Sequence, residues 1–328
     1  MTAKQVEEMT GQRRALLVVN HVCDLRSAHY RRIALAIGVF DGVHRGHQKL
    51  LQTLAELAAA TGAKPVALTF HPHPRALLKP QEKPLLLLPL ANRVELLHQY
   101  GAQAVVVKKF DQELATLSPQ AFLDALLSIP ELEIAGICVG SAWRFGHGGG
   151  GDCRLLAGYA AERRFRLEPV PELAIDGEIV SSSNIRRAVA AGRFSAAAAM
   201  LGRPFSLYGK VEHGHRLAGT ALDHPTANLA VTDTILPPDG VYAARVNLEE
   251  GCFPAAVNIG VAPTFRYTAS PRRVEVHVLD FHGNLYDASL QVELLQYLRE
   301  ERCFISPEEL KKQIGSDIKA IRRTIEIR

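Results

Sequence analysis

The sequence is short of cysteine, of long apolar runs and of concentrated charge, and each shortage closes off a class of function. Its five cysteines, Cys23, Cys138, Cys153, Cys252 and Cys303, are odd in number and contain no C-x-x-C pair. That usage argues against a disulfide framework or a thiolate metal cluster and fits reduced thiols in a cytosolic protein. No apolar run approaches the roughly 18 residues that a membrane-spanning helix needs. The first such run, Ala15 to Val19, is too short for the core of a secretory signal. A cytoplasmic location with no membrane partner is the expectation. Lys and Arg number 38 against 34 Asp and Glu, a net charge of +4 that weakly favours small anionic ligands. The basic pairs Arg13-Arg14, Arg31-Arg32, Arg163-Arg164 and Arg322-Arg323 are scattered, so no nucleic-acid-binding stripe is predicted. There is no internal repeat and no low-complexity tract. What is there is an ordinary core-forming composition, 47% hydrophobic and 22% charged over 328 residues, long enough for two domains.

One stretch organises the rest: Ile37-Gly38-Val39-Phe40-Asp41-Gly42-Val43-His44-Arg45-Gly46-His47. A β-type apolar segment precedes it. Leu50, Leu51, Leu54, Leu57 and Ala58 follow at helical spacing. The glycines and both histidines therefore fall on a strand-to-helix turn. Glycines there let the backbone approach a phosphate, and the helix start offers unpaired N–H groups and a positive dipole end. His44 and His47, three residues apart, share one face of the first helical turn. The plain structural alternative is a tight turn carrying two surface histidines. The stretch resembles the G-x-F-D-G-x-H-x-G-H signature of nucleotidyltransferases that move AMP or CMP onto a phosphate, with Gly38, Phe40, Asp41, Gly42, His44, Gly46 and His47 in its fixed positions. The resemblance implies a Rossmann-like domain whose histidines contact a nucleoside triphosphate.

Along the chain, strand patterns at Ile33–Phe40, Val66–Phe70, Ala104–Val107 and Ile134–Val139 alternate with helical patterns near 45–60, 91–100, 119–128 and 152–164. That rhythm predicts an α/β domain with a parallel sheet, whose ligands bind at the carboxyl ends of the strands. His71-Pro72-His73-Pro74 and the glycine-rich span Gly140 to Gly151 fall at such ends. The first could equally be an exposed turn; the run Gly148 to Gly151, which follows a strand and precedes a helical pattern, reads as a flexible loop facing the substrate rather than as a linker. Ser181-Ser182-Ser183-Asn184-Ile185-Arg186 then opens an Ala-rich helix to about residue 200. Its serines serve as caps, and with the arginine one turn on they also suit an anion. Beyond Leu201-Gly202-Arg203-Pro204, β-type runs at 205–212, 241–247, 253–261, 274–280 and 289–296 predict a small antiparallel barrel. An amphipathic helix from Pro307 to Ile325 ends it, with Leu310, Ile314, Ile318 and Ile321 on one face.

With both halves in view, the chain resembles the bacterial bifunctional riboflavin kinase/FAD synthetase family over nearly its full length. The first half adds Thr69-Phe70-His71-Pro72-His73-Pro74, Arg144-Phe145-Gly146 with Gly151-Asp152, and Ser182-Ser183 with Arg186. The second half carries His213-Gly214, Pro225-Thr226-Ala227-Asn228, Gly240-Val241-Tyr242, Asn258-Ile259-Gly260, Glu275-Val276-His277 and Arg302-Cys303-Phe304. The resemblance implies an adenylyltransferase domain over 15–186, a linking region at 187–204 and a kinase domain over 205–328. It implies riboflavin, FMN and ATP as substrates, with Mg²⁺. Catalytic roles fall to Glu275, His44 and His47. ATP binding in the adenylyltransferase falls to the turn residues with Ser182, Ser183 and Arg186. Flavin and ATP binding in the kinase falls to Gly214, Pro225, Thr226, Asn228 and Asn258, with Thr226 and Asn228 as metal ligands. As an outward-facing residue between Val274 and Val276, Glu275 could also be a mere surface carboxylate.

The chain departs from the family pattern beside both sites. Ala142 stands where the family has Asn or Asp, and Gly148 and Gly149 replace basic residues. Asp223 and His224 precede Pro225 in place of glycine and an apolar residue, after a loop that is longer by one. The second functional reading is therefore a partly degenerate flavin-binding relative that keeps one activity or neither. The Asp223 carboxylate beside a triphosphate makes the kinase the slower module on this reading. The oligomeric state is not specified by the sequence.

Overall fold

The computed structural model describes residues 16–212, 227–248, 250–260, 272–281, 283–302 and 304–326. The chain divides into two compact units, Met1–Leu85 with Leu90–Ser181, and Leu86–Pro89 with Ser182–Arg328.

The first unit is a six-stranded parallel sheet in the order β1-β4-β3-β2-β5-β6. These strands are β1 Leu17–Val19, β2 Arg32–Ile37, β3 Lys64–His71, β4 Ala104–Lys109, β5 Glu133–Gly140 and β6 Arg166–Val170. Every residue of β3 and β5 between the first and last is buried, as a strand covered on both faces requires. The chain passes from β2 outward through β3 and β4, then crosses to β5 and β6 on the other side of β2. The turn after β2 therefore lies at the point where the strand order reverses, which is where open α/β sheets bind ligands.

Helix α1, Arg45–Thr61, buries Leu50, Leu51, Leu54, Leu57 and Ala58 against this sheet and stops at Gly62 with φ +63°. Burial of each of those leucines contributes about 1.5–3 kcal/mol. Helices α2 Pro74–Leu78, α3 Leu90–Gln99, α4 Gln112–Thr116, α5 Pro119–Leu127 and α6 Cys153–Arg163 complete the crossovers. A small hairpin of β7 Ala174–Ile175 and β8 Glu178–Ile179 follows.

The second unit opens on α7 Ser182–Ala190 and α8 Phe194–Leu201. One Ala-rich helix was the expectation; Gly192, at φ +68°, divides it in two. A closed antiparallel barrel follows in the order β10-β13-β12-β11-β14-β9. Its strands are β9 Ser206–Glu212, β10 Ala227–Ala230, β11 Gly240–Leu248, β12 Gly251–Gly260, β13 Arg273–Val278 and β14 Ser289–Arg299. Within β13, Val274, Val276 and Val278 are buried while Glu275 and His277 are half-buried. The alternation sends the valines inward and the polar pair to the outer face. Helix α9, Pro307–Glu326, packs on that outer face, with Ile321 clustering with Ala243 and Leu279. Leu86 pairs with Thr234 and is counted with this unit.

The α/β unit, the antiparallel barrel and the terminal helix are as expected. β2 ends at Ile37 rather than Phe40, because the backbone turns left-handed at Phe40, Gly42 and Val43 (φ +55°, +83° and +38°). The short strands β1, β6 and β10 were not anticipated as strands.

Candidate active sites

At the end of β2, Gly38 N–H still donates to Leu68 O of β3 (3.1 Å), and then the chain winds tightly, with Val43 N–H donating to Phe40 O (3.1 Å). A β-branched residue with positive φ is uncommon and costs about 1–3 kcal/mol, a type of strain that clusters at functional sites. The tight approach continues into the helix: a Cβ on Gly46 would lie 3.2 Å from the His44 ring. His44 is the N-cap of α1, and its Nδ1 accepts from His47 N–H (3.4 Å). A ring that accepts at Nδ1 carries its neutral-form proton at Nε2, which makes that nitrogen of His44 a donor. The two rings stack with centroids 3.6 Å apart, and His47 meets Phe40 edge-on at 5.1 Å. The structure thus joins Gly38, Phe40, Asp41, Gly42, His44, Gly46 and His47 in one turn.

Behind the turn lies a buried polar cluster that sequence reasoning missed. Thr69 donates from Oγ1 to Val39 O (2.9 Å), and Arg93 of α3 donates from Nη1 to Val39 O (3.0 Å), Thr69 Oγ1 (3.3 Å) and Phe70 O (3.1 Å). Asp41 is 1% exposed, and Thr69 and Arg93 are completely buried. The Nδ1 of His47 and the Nε and Nη2 of Arg93 are buried without a hydrogen-bond partner. Burial first, then His44 and Arg93, hold the His47 imidazole well below the usual histidine range. Burial and Arg93 also lower His71. His73 caps α2 by accepting from Arg75 N–H (3.1 Å), so one histidine of that pair has a structural duty.

The same unit has a cavity of about 440 Å³, bounded by His21 to Cys23 after β1, Lys108 and Lys109 at the end of β4, and Leu114, Leu117, Phe122 and Ile129. After β5, the glycine-rich span is a loop with a single turn of 3₁₀ helix at His147–Gly149. Trp143 stacks on Phe145 at 4.6 Å, Phe145 pairs with Gly151, and Arg144 lies 3.5 Å from Asp152. Ala142 is exposed on it. Ser182, Ser183 and Arg186 lie in the first two turns of α7, in the second unit.

In the barrel, Glu275 stands opposite Asn228 of β10 on one side and opposite Asn258 of β12 on the other. Directly paired residues present their side chains on one face, with Cβ atoms about 4.5–5.5 Å apart. The register therefore makes a row of two amides flanking a carboxylate. Asn258 and Glu275 line a cavity of about 260 Å³ between the outer face of the barrel and α9. Its apolar wall is Val241, Ala256, Phe304, Leu310, Ile314 and Ile318, and its polar edge includes His277, Glu301 and Arg302. Asn258 Nδ2 donates to Glu301 Oε1 (2.8 Å), while Asn258 Oδ1 is buried without a partner. At the back, Arg299 of β14 donates from Nε and Nη2 to Asp317 of α9 (3.1 and 2.9 Å to Oδ2), fixing the helix to the barrel. Gly214, Asp223, His224, Pro225 and Thr226 lie outside the described residues.

A family model described as FAD synthetase matches residues 26–184, and one described as riboflavin kinase matches residues 201–325. A bifunctional riboflavin kinase/FMN adenylyltransferase of Pseudomonas fluorescens is 38% identical over 305 residues, covering 93% of this chain and 96% of its own length. The Escherichia coli K12 protein of the same description is 35% identical over 301 residues, covering 92% and 95%. Among solved structures, one described as a macrolide-efflux protein from Streptococcus pneumoniae matches with a TM-score of 0.78 at 28% identity, covering 89% of this chain and 94% of that one. Among the described residues here, no helix is long and apolar enough to cross a membrane.

Proposed function

We infer, from a chain that belongs to the bifunctional riboflavin kinase/FMN adenylyltransferase family, an enzyme with two chemistries. It phosphorylates riboflavin with ATP to FMN, and it adenylylates FMN with a second ATP to FAD, releasing pyrophosphate. The observation that carries this reading is the presence in one chain of both constellations. One is a capped histidine turn at the sheet's reversal point; the other is a carboxylate held between two amides at a cavity.

In the adenylyltransferase the FMN phosphate is itself the nucleophile. Its oxygen attacks the α-phosphorus of ATP, and the bond to pyrophosphate breaks, so the protein needs no nucleophile of its own. Its task is to align the two phosphates and offset the developing negative charge. His44 at Nε2, His47 and the N–H groups opening α1 have the right polarity for this. The cavity beside the ends of β1 and β4 suits the flavin ring, with its apolar floor and the ammonium groups of Lys108 and Lys109 at its rim.

In the kinase the terminal ribityl hydroxyl of riboflavin attacks the γ-phosphorus of ATP, the bond to the departing ADP breaks, and Glu275 accepts the hydroxyl proton. The flavin ring lies along the apolar wall of the cavity under α9. The unpartnered Oδ1 of Asn258 and the neighbouring carboxylate make an oxygen-rich edge, the donor set that Mg²⁺ prefers. Thr226 and Asn228 would hold the ion, which neutralises phosphate charge when bound. The cytoplasm, where ATP and reduced thiols abound, is the compartment that fits this enzyme.

The test is an incubation of the purified chain with riboflavin, ATP and Mg²⁺, with flavins separated by chromatography. FMN followed by FAD is expected. Bound flavin with neither product would overturn the reading in favour of a carrier.

A further inference from the structure

Arg93 has no part in the signature motifs, yet it is the largest completely buried side chain in the described residues. Only one of its three nitrogens is partnered. Nη1 reaches Val39 O at the start of the phosphate turn, and Thr69 Oγ1 and Phe70 O at the end of β3, all within 3.3 Å. Nε and Nη2 carry three further N–H donors, and both atoms are buried without an acceptor. A tie between two strand ends needs no net charge; a hydroxyl or amide makes the same bonds. Buried N–H groups and a buried cation without full pairing are costly, and such groups persist where a site requires them.

We propose that Arg93 is a positioning residue for adenylyl transfer, its guanidinium fixing the Val39–Asp41 turn against the end of β3 and holding a buried positive charge behind it. This rests on the adenylyltransferase reading of the first unit. A fixed cation in a water-poor site acts on neighbouring charge more strongly than one in solvent and needs no reorganisation when negative charge develops. The charged and titratable groups around it come from every packed element. Burial lowers the Arg93 guanidinium from its ordinary value, and Asp41 in the turn opposes that by favouring the charged form; His44 and His47 open α1; His71 ends β3. Arg93 contributes to keeping His47 and His71 neutral, after burial and, for His47, after His44. A neutral His47 adds no second cation beside the His44 ring, which stacks on it at 3.6 Å. The positive charge is thereby carried by a group that cannot titrate in the working range, rather than by imidazoles that can.

The experiment measures FAD formation from FMN against pH for the full chain, Arg93→Met and Arg93→Lys, with the denaturant midpoint of the first unit in each preparation as the check on folding. Arg93→Met should lower adenylylation by about 10²–10³-fold, the range seen when one preorganised donor is removed from a charge-stabilising site. It should also move the acid limb of the pH profile upward, because the imidazoles then protonate more readily. Arg93→Lys keeps a cation but loses the fork. It should retain the wild-type acid limb with a reduced plateau, and it decides the matter should Arg93→Met fail to fold. A loss with no movement of the acid limb in Arg93→Met, a shifted limb in Arg93→Lys, or wild-type rates in both would overturn the proposal. Wild-type protein that makes no FAD would overturn the adenylyltransferase reading and this proposal together; active wild type with unaffected variants would overturn this proposal alone.

Discussion

In the first unit the residues proposed to handle phosphate lie mostly within Gly38 to His47, and the backbone is proposed to supply much of that chemistry. In the second, Asn228, Glu275 and Asn258 come from three strands, and a helix much later in the chain closes the cavity beside them. A helix start at a sheet's reversal point binds phosphate by virtue of local conformation, so its residues must be contiguous. A proton acceptor for a hydroxyl needs a carboxylate at a chosen point in space, and barrel register delivers that from distant segments. Local conformation and strand register are thus two separate routes to a site, and substitutions should affect them differently.

The largest effect should come from Glu275→Gln. Loss of a general base lowers turnover by about 10²–10⁴-fold. FMN formation should fall by that factor, while riboflavin binding, read by flavin fluorescence quenching, stays near wild type and FAD formation from supplied FMN is untouched. Near-normal kinase turnover would show that the register-built site is only a surface row. The turn can be sharpened with His44→Asn, which keeps a good N-cap but removes the imidazole. Adenylylation of FMN should fall by about 10²–10³-fold with little change in unfolding midpoint. His44→Ala should add a stability loss of about 0.5–2 kcal/mol from the missing cap. Equal stability losses in the two would mean that the ring itself holds the turn together.

A smaller effect is expected where α9 meets the barrel. Arg299 and Asp317 are 21% and 10% exposed, and Asp317→Asn weakens a forked pair that positions the cavity wall. The denaturant midpoint of the kinase unit should fall by the equivalent of about 1–3 kcal/mol, and riboflavin should bind more weakly. An unchanged midpoint would show that apolar packing alone seats the helix. The smallest effect is on pH dependence. The lowered His47 and His71 resist protonation in the folded chain, whereas in the unfolded chain they titrate near 6.5. Below that pH the unfolded state binds more protons, so the adenylyltransferase unit loses stability as pH falls and gains nothing further above it. His47→Asn should flatten that acid slope in a series of denaturant titrations; an unchanged slope would assign it to other groups.

The same contrast explains what could be read without a structure. The turn, its helix and the buried strands β2, β3 and β5 were legible because their signals are local: glycine spacing, helical periodicity and short apolar runs. Glu275 was legible only through resemblance, since Val274, Val276 and Val278 make it look like an outward residue, which it is. Its outer face turns out to be walled by α9. Arg93 gave no signal, because a lone arginine in a short amphipathic helix reads as solvated until the sheet is built over it. The Arg299–Asp317 fork was hidden for a similar reason: which turn of α9 faces β14 depends on how the helix returns to the barrel. Strands as short as β1 and β10 carry too few residues to show alternation.

The central claim is that the two chemistries are separately built, and His47→Ala supplied with riboflavin, ATP and Mg²⁺ tests it most directly. Flavins are followed by chromatography over time. The account predicts that FMN accumulates at the wild-type initial rate and that FAD formation falls by about 10²–10³-fold. If FMN formation drops in parallel with FAD in a chain that remains folded, the histidine turn serves both reactions and the division into two independent sites is wrong.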